Sequence, residues 1–204
     1  NARTGVQHSI PLSTNFKILK YFNMAASINY KEVWQPKTVR YNDYDPLIDG
    51  VKKDTIKGFS AFRTYSYGIS MATTVYGTVN FKEDKRVRSI RHTIRPSVSY
   101  SSAPSFDQYF DEYIIDADGN TREYTRFEEG LFGSPSRGIS KSMGISLSNN
   151  FEAKVVDPDT TKTDLKKIQL IKNLNLSTSY NFIADQFKWT PIRATSGVDL
   201  FDKK

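Results

Sequence analysis

Cysteine is missing from all 204 residues, which excludes disulfides, thiolate metal sites and cysteine nucleophiles together. Histidine is nearly missing: His8 and His92 are the only two, and they stand in different segments. Histidine metal sites need close spacing on one face, so no metal centre is expected. Glycine-rich phosphate loops and the G-x-S-x-G nucleophile elbow are not found, and no cofactor is expected. No apolar run approaches the roughly 18 residues of a membrane helix. Mean hydropathy is −0.54, the value of an ordinary polar soluble protein. A membrane β-barrel gives the same average, because only alternate strand residues face lipid. No RNP, KH or zinc-finger pattern accompanies the net charge of +7, so nucleic acid is set aside as a partner. The excess charge fits a solvated basic surface or a partner carrying phosphate or acidic sugar.

What is abundant is aromatic: 12 Tyr and 13 Phe, against 2 Trp. Together with the many Ser, Thr and Asn residues, this suits strands, where aromatic and β-branched side chains pack on a pleated surface. Period-2 alternation recurs in seven segments. It is clearest over 173–182, where Leu174, Leu176, Thr178, Tyr180 and Phe182 oppose Asn173, Asn175, Ser177, Ser179 and Asn181. Over 65–81, Tyr65, Tyr67, Ile69, Met71, Val75, Val79 and Phe81 oppose Ser66, Gly68, Ser70, Ala72 and Asn80. Over 142–155, Met143, Ile145, Leu147 and Phe151 oppose Ser142, Gly144, Ser146 and Ser148. Met24, Ala26, Ile28, Tyr30 and Trp34 oppose Ser27, Asn29 and Lys31. Ile94, Pro96, Val98 and Tyr100 oppose Arg91, Thr93, Arg95, Ser97 and Ser99. Ile192, Ala194, Val198 and Leu200 oppose Arg193, Thr195, Gly197 and Asp199, and a weaker strand lies over 9–17.

The polar faces are mostly small and neutral, whereas the outer face of a soluble sandwich carries Lys and Glu. Small polar residues suit an enclosed, hydrated interior. Several apolar faces end in rings, at Tyr30 and Trp34, Tyr65 and Tyr67 with Phe81, Tyr180 and Phe182, and Trp189. These eight residues are the expected lipid-interface aromatics, since amphipathic rings at strand ends form the girdles of membrane barrels. The segments match or exceed the roughly 9–11 residues that cross a bilayer as a tilted strand. Short links around 20–23 and 82–86, and a moderate turn at 157–162, alternate with long connections at 35–63 and 104–137. That is the outer-membrane pattern, with the long loops outside. The final link, 184–188, is short. Expected, then, is an all-β antiparallel transmembrane barrel wall of about seven strands, one domain over 1–204. Seven strands do not close a bacterial single-chain barrel, and open edges cannot face lipid. The pattern, already under way at Asn1, points to a piece of a longer chain.

Lys31, Arg91, Arg95 and Arg193 fall on the polar, lumen side, placed either to meet anionic cargo or to pair with carboxylates such as Asp199. His92 has the parity of the apolar wall. It reads as a histidine near the periplasmic rim; the sharper alternative is a hydrolase site on the outer wall. Pro96, inside a strand, cannot donate to the ladder; it marks a local bulge or a weakened seam.

Several passages resemble the barrel domain of the LptD family, the outer-membrane lipopolysaccharide assembly proteins. They are Gln7-His8-Ser9-Ile10-Pro11-Leu12-Ser13, Lys20-Tyr21-Phe22-Asn23, Arg91-His92-Thr93-Ile94-Arg95-Pro96-Ser97-Val98-Ser99-Tyr100, Phe127-Glu128-Glu129-Gly130-Leu131-Phe132-Gly133, and the alternating run from Leu174 to Phe182. The resemblance implies a non-enzymatic translocon in the outer membrane of a Gram-negative bacterium. It implies lipopolysaccharide as cargo, surrounding outer-membrane lipid, an LptE-like lipoprotein plug and periplasmic Lpt bridge components as partners. Release would be sideways, between the first and last strands of the full barrel. The disulfides of part of the family have no counterpart here. The rival readings are a porin or TonB-dependent-type nutrient transporter barrel, a soluble carbohydrate-binding β-sandwich, and a barrel enzyme.

Overall fold

The computed structural model describes residues 3–157 and 165–197. Ten strands and one short 3-10 helix account for its regular structure: β1 (Val6–Ile18), β2 (Phe22–Tyr41), β3 (Lys53–Ala72), β4 (Val75–Asn80), β5 (Val87–Ala103), the helix (Asp107–Tyr109), β6 (Phe110–Ile114), β7 (Thr121–Thr125), β8 (Ser140–Val156), β9 (Leu165–Asn181) and β10 (Arg193–Gly197). The main sheet has the order β1-β2-β3-β5-β8-β9-β10, with β4 also paired to β5; β6 and β7 form a separate two-stranded sheet. No helix among the described residues is long and apolar enough to cross a membrane, which says nothing about crossing by strands.

Cross-strand register shows why alternation organises this sheet. Met143 lies opposite Tyr180, Ile145 opposite Thr178 and Leu147 opposite Leu176; Ser142, Gly144, Ser146 and Ser148 lie opposite Asn181, Ser179, Ser177 and Asn175. On the far side of β9, Ala194 faces Leu176 while Arg193 faces Ser177. Paired residues share a face, so a period of two in each strand becomes one apolar and one polar surface.

Three sequence expectations change. The alternation over 65–81 is not one strand, because β3 and β4 are separated at Thr73–Thr74. Thr73 N–H donates to the Pro96 carbonyl (3.2 Å). In a hydrogen-bonded antiparallel pair the partner returns a bond, and Pro96 has no N–H to give. The interruption therefore has its cause in β5. The connection expected over 35–63 contracts to residues 42–52, because β2 and β3 each extend well into it. It closes through Asn42 N–H to the Lys52 carbonyl (3.0 Å) and Asn42 Nδ2 to Asp54 (2.9 Å). The connection over 104–137 is an ordered element carrying the β6–β7 hairpin. The first link is tight, with Leu19 and Lys20 both left-handed (φ 51° and 65°), as hairpin turns between right-twisted strands favour. The turn expected over 157–162 and the continuation through Val198, Asp199 and Leu200 lie outside the described residues, save Asp157.

The residues divide into two compact units. One comprises Asn1–Ser13, Ser27–Gly68 and Ser101–Lys141; the other comprises Thr14–Ala26, Ile69–Tyr100 and Ser142–Lys204. The first holds a buried apolar cluster of Val33, Phe62 and Phe127, with Tyr109 and Phe132 against it. The Phe62 and Phe127 rings meet edge to face with centroids 4.9 Å apart.

Candidate functional site

The candidate site is a pair of surfaces. In the second unit the apolar face carries Ile69, Met71, Val75, Val79, Ile145 and Phe182, all exposed; Val79 is 61% accessible. Large apolar side chains in register on one face leave a patch wider than scattered surface hydrophobics do. Its rings gather at one place: Tyr180 lies 4.9 Å from Phe182 and 5.0 Å from Trp189, and Tyr100 lies 6.0 Å from Phe182. A bridge between Tyr180 and Trp189 holds the link after β9 in this position. Phe81 stands apart from these rings in sequence, just beyond β4, and is exposed.

The opposite face of this unit is a ladder of small groups. The Ser97 and Ser146 hydroxyls are 2.6 Å apart, Ser146 is in register with Ser177, and Ser177 with Arg193. A Cβ added at Gly144 would come within 2.8 Å of the Ser99 hydroxyl, so glycine there permits close approach. Arg91, Arg95 and Arg193 are exposed on this face, and Arg91 lies 4.4 Å over the Tyr76 ring. They are spread over the face and form no cluster.

His92 lies on the apolar face, opposite Gly77 and beside Ile94 and Ile90 in the β4–β5 register. Its ring stacks on Phe151 (4.0 Å, 9°), and Nε2 is 3.0 Å from Asn149 Oδ1. Among the described residues no serine hydroxyl bonds to it. The environment is that of a packed wall residue.

In the first unit the polar face is covered. Asn29, Lys31 and Val33 alternate on one side of β2, and Phe62, Thr64 and Ser66 on one side of β3. The segment after β5 packs there through Phe127. Main-chain bonds pin it: Val39 N–H to the Arg126 carbonyl (3.0 Å) and Tyr44 N–H to the Ile114 carbonyl (2.8 Å). Tyr41 stacks on Tyr113 (4.6 Å) and donates to Glu128 (2.7 Å). Lys53 pairs with Glu129, and Arg137 with both Asp107 and Glu123. Lys31 Nζ reaches the Phe132 carbonyl at 3.4 Å. Lys31 also lines a cavity of about 500 Å³ with Ser9, Asn29, Thr64, Ser66 and Phe106.

The apolar face of this unit holds the other expected rings. Tyr65 and Tyr67 are exposed, and Tyr65 lies 5.6 Å from Phe106. Trp34 lies between His8 (4.5 Å) and Phe59 (5.8 Å). Two charges missed in the sequence lie among them. Glu32 accepts from Tyr30 Oη (2.7 Å), Trp34 Nε1 (2.9 Å) and Arg63 Nε (3.2 Å). The signal was available, because Glu32 interrupts the apolar parity between Tyr30 and Trp34.

Loop carboxylates are tuned by their hydrogen bonds. Glu129 is held below the ordinary carboxylate value by Lys53, and Asp107 by Ser105 and then Arg137. Asp116, which accepts from the Asn120 side chain and main chain, is lowered as well.

No curated protein and no solved structure matches the chain. A family model described as LptD protein matches residues 1–204. The match spans the whole sequence, and the chain belongs to the LptD protein family.

Proposed function

We propose that this chain forms part of the wall of an outer-membrane β-barrel that assembles lipopolysaccharide into the outer leaflet, by passage and not by catalysis. The observation that carries the reading is the register-matched separation of the two faces. One face exposes large apolar groups with rings at strand ends; the other exposes Ser, Asn, Thr and a few basic groups. The apolar face meets lipid, because only a closed barrel satisfies strand backbones inside a bilayer. The polar face of the second unit meets the aqueous lumen, where Arg91, Arg95 and Arg193 attract the phosphates and acidic sugars of the cargo; Lys31, half-buried at the Phe132 carbonyl, faces the cavity under the covering segment. Family membership supports the cargo, a lipoprotein plug, a periplasmic bridge and a Gram-negative outer-membrane location. Strands outside the described sheet complete the barrel.

Because the chain has no cysteine, single cysteines report each face cleanly. Cysteine at Leu147 or Leu176 is expected to be shielded by lipid from a water-soluble maleimide, and at Ser146 or Ser177 to react. A photo-crosslinking residue at Arg193 is expected to capture lipopolysaccharide. Equal labelling of both faces in intact outer membranes would remove the barrel reading. A second reading, a solute channel, draws on the segment after β5, which packs on the polar face as a constriction would. It predicts solute-selective uptake loss on deletion of residues 104–139, with surface lipopolysaccharide unchanged.

A further inference from the structure

We propose that Arg63, oriented by Glu32, forms a site on the apolar face for the phosphate of a membrane lipid. The inference rests on the reading that this face meets lipid. An arginine on a lipid-facing wall is costly at mid-bilayer and nearly without cost near the interface, so its place is at headgroup depth. Its neighbours mark that depth. Tyr30 and Trp34 flank Glu32, and Tyr65 follows Arg63 on the same side of β3.

The arrangement does more than neutralise a charge. Glu32 is largely covered, with its side chain 16% exposed, whereas that of Arg63 is 64% exposed. An ion pair this open contributes little to stability. Yet the carboxylate collects three donors, which fixes its orientation. Glu32 takes only the Nε of Arg63 (3.2 Å), and no other guanidinium nitrogen has a partner among the described residues. Tyr30 and Trp34 share the carboxylate's charge, so the outward edge of the guanidinium keeps its donors. That edge matches the spacing of two phosphate oxygens. Below it in the strand pattern lie Ile28 and Tyr67, both exposed, an apolar track for the acyl chains of the same lipid. Head and tail therefore meet matching chemistry in the order a bilayer lipid presents them.

The test uses the full-length protein in nanodiscs, with heat-modifiable gel mobility confirming the fold of each variant. Native mass spectrometry measures retained phosphatidylglycerol, retained phosphorylated glucosamine lipid and, as control, a neutral galactolipid of the same chains. Retention of the phosphorylated lipids is expected to fall about tenfold in Arg63→Gln, with the galactolipid unchanged. Arg63→Lys keeps the charge but loses the fork, and is expected to lie between. Glu32→Gln is expected to weaken retention although it removes a negative charge, which separates orientation from attraction. Quenching of Trp34 by brominated lipid is measured in the same discs. Quenching with no change in lipid retention overturns the phosphate site and leaves the lipid-facing wall standing. No quenching removes the wall reading and the site with it. Displacement of the lipid by millimolar inorganic phosphate would overturn the lipid as the ligand.

Discussion

The two units solve the same problem in different ways. The first buries Val33, Phe62 and Phe127 almost completely and adds Val39, Phe106, Tyr113 and Tyr124; the second, among its described residues, buries only Ala153 and Val155 of its hydrophobic side chains. Both contain long amphipathic strands. The first receives the segment after β5, which covers its polar face and supplies a core. Among the described residues the second has no such cover, and its apolar groups are left to the surroundings. The contrast teaches that an alternating strand is unfinished structure, completed on a given face either by chain or by the surroundings.

The largest expected effect breaks the first solution. Phe127→Ala removes the ring at the centre of the cluster, and truncations of this kind cost about 3–5 kcal/mol. The remaining ties of the segment are the contacts of Tyr41 with Tyr113, Tyr124 and Glu128, main-chain bonds and exposed ion pairs. Limited proteolysis is therefore expected to cut within 104–139 in the variant and to spare this segment in the parent, while the strands stay protected. Cleavage at equal rates in both would show that the cluster does not hold the segment.

The next breaks the second solution. Leu147 faces Leu176 on the apolar side; Ser146, one residue earlier, faces Ser177 on the other. Leu147→Arg is expected to cost about 2–4 kcal/mol in folding into vesicles, if its depth is near mid-bilayer. Ser146→Arg loses little more than its hydroxyl bond to Ser97, about 1 kcal/mol. Denaturant titrations in vesicles measure both, and equal losses would erase the distinction between the faces.

How far this was legible follows from the same contrast. The pairs Met143–Tyr180, Ile145–Thr178 and Leu147–Leu176 could be anticipated because their strands alternate strictly between two different environments. Residues 35–41 and 53–63 resisted, since there both faces meet polar groups or the covering segment, and alternation loses its amplitude. Lys37, Thr38, Val39 and Arg40 read as loop yet continue β2. The Val33–Phe62–Phe127 cluster was hidden because Val33 and Phe62 sit at polar-face positions and only their distant partner explains them. The Glu32–Arg63 pair was hidden because its members are 31 positions apart in sequence. Pro96 was seen, but its effect falls on another strand, at Thr73–Thr74.

That effect gives a smaller prediction. Pro96→Ala restores an N–H opposite Thr73, so β3 and β4 are expected to join. One recovered ladder bond contributes about 1 kcal/mol. Hydrogen exchange at residues 73–75 is expected to slow, with the rest of the sheet unchanged. Unaltered exchange there would mean that the break belongs to Thr73–Thr74 and not to the proline.

The smallest effect concerns only the covered unit. Glu129 and Asp107 have carboxyl groups held below their ordinary values of 4.5 and 3.8 by Lys53 and by Ser105 with Arg137. A carboxylate depressed in the folded state stabilises above its ordinary value, and that contribution disappears as pH falls through the depressed one. The ties between the segment after β5 and its surroundings should therefore hold at neutral pH and loosen below about pH 4. Both groups are exposed, so the sheet itself is expected to keep its strands. The measurement is acid-protease cleavage within 104–139 across this window, in the parent and in Glu129→Gln. The variant, already without the ionised partner of Lys53, is expected to show the shallower pH dependence. A profile identical to the parent's would place the acid sensitivity elsewhere, with Asp107 and its Arg137 pair the next to change.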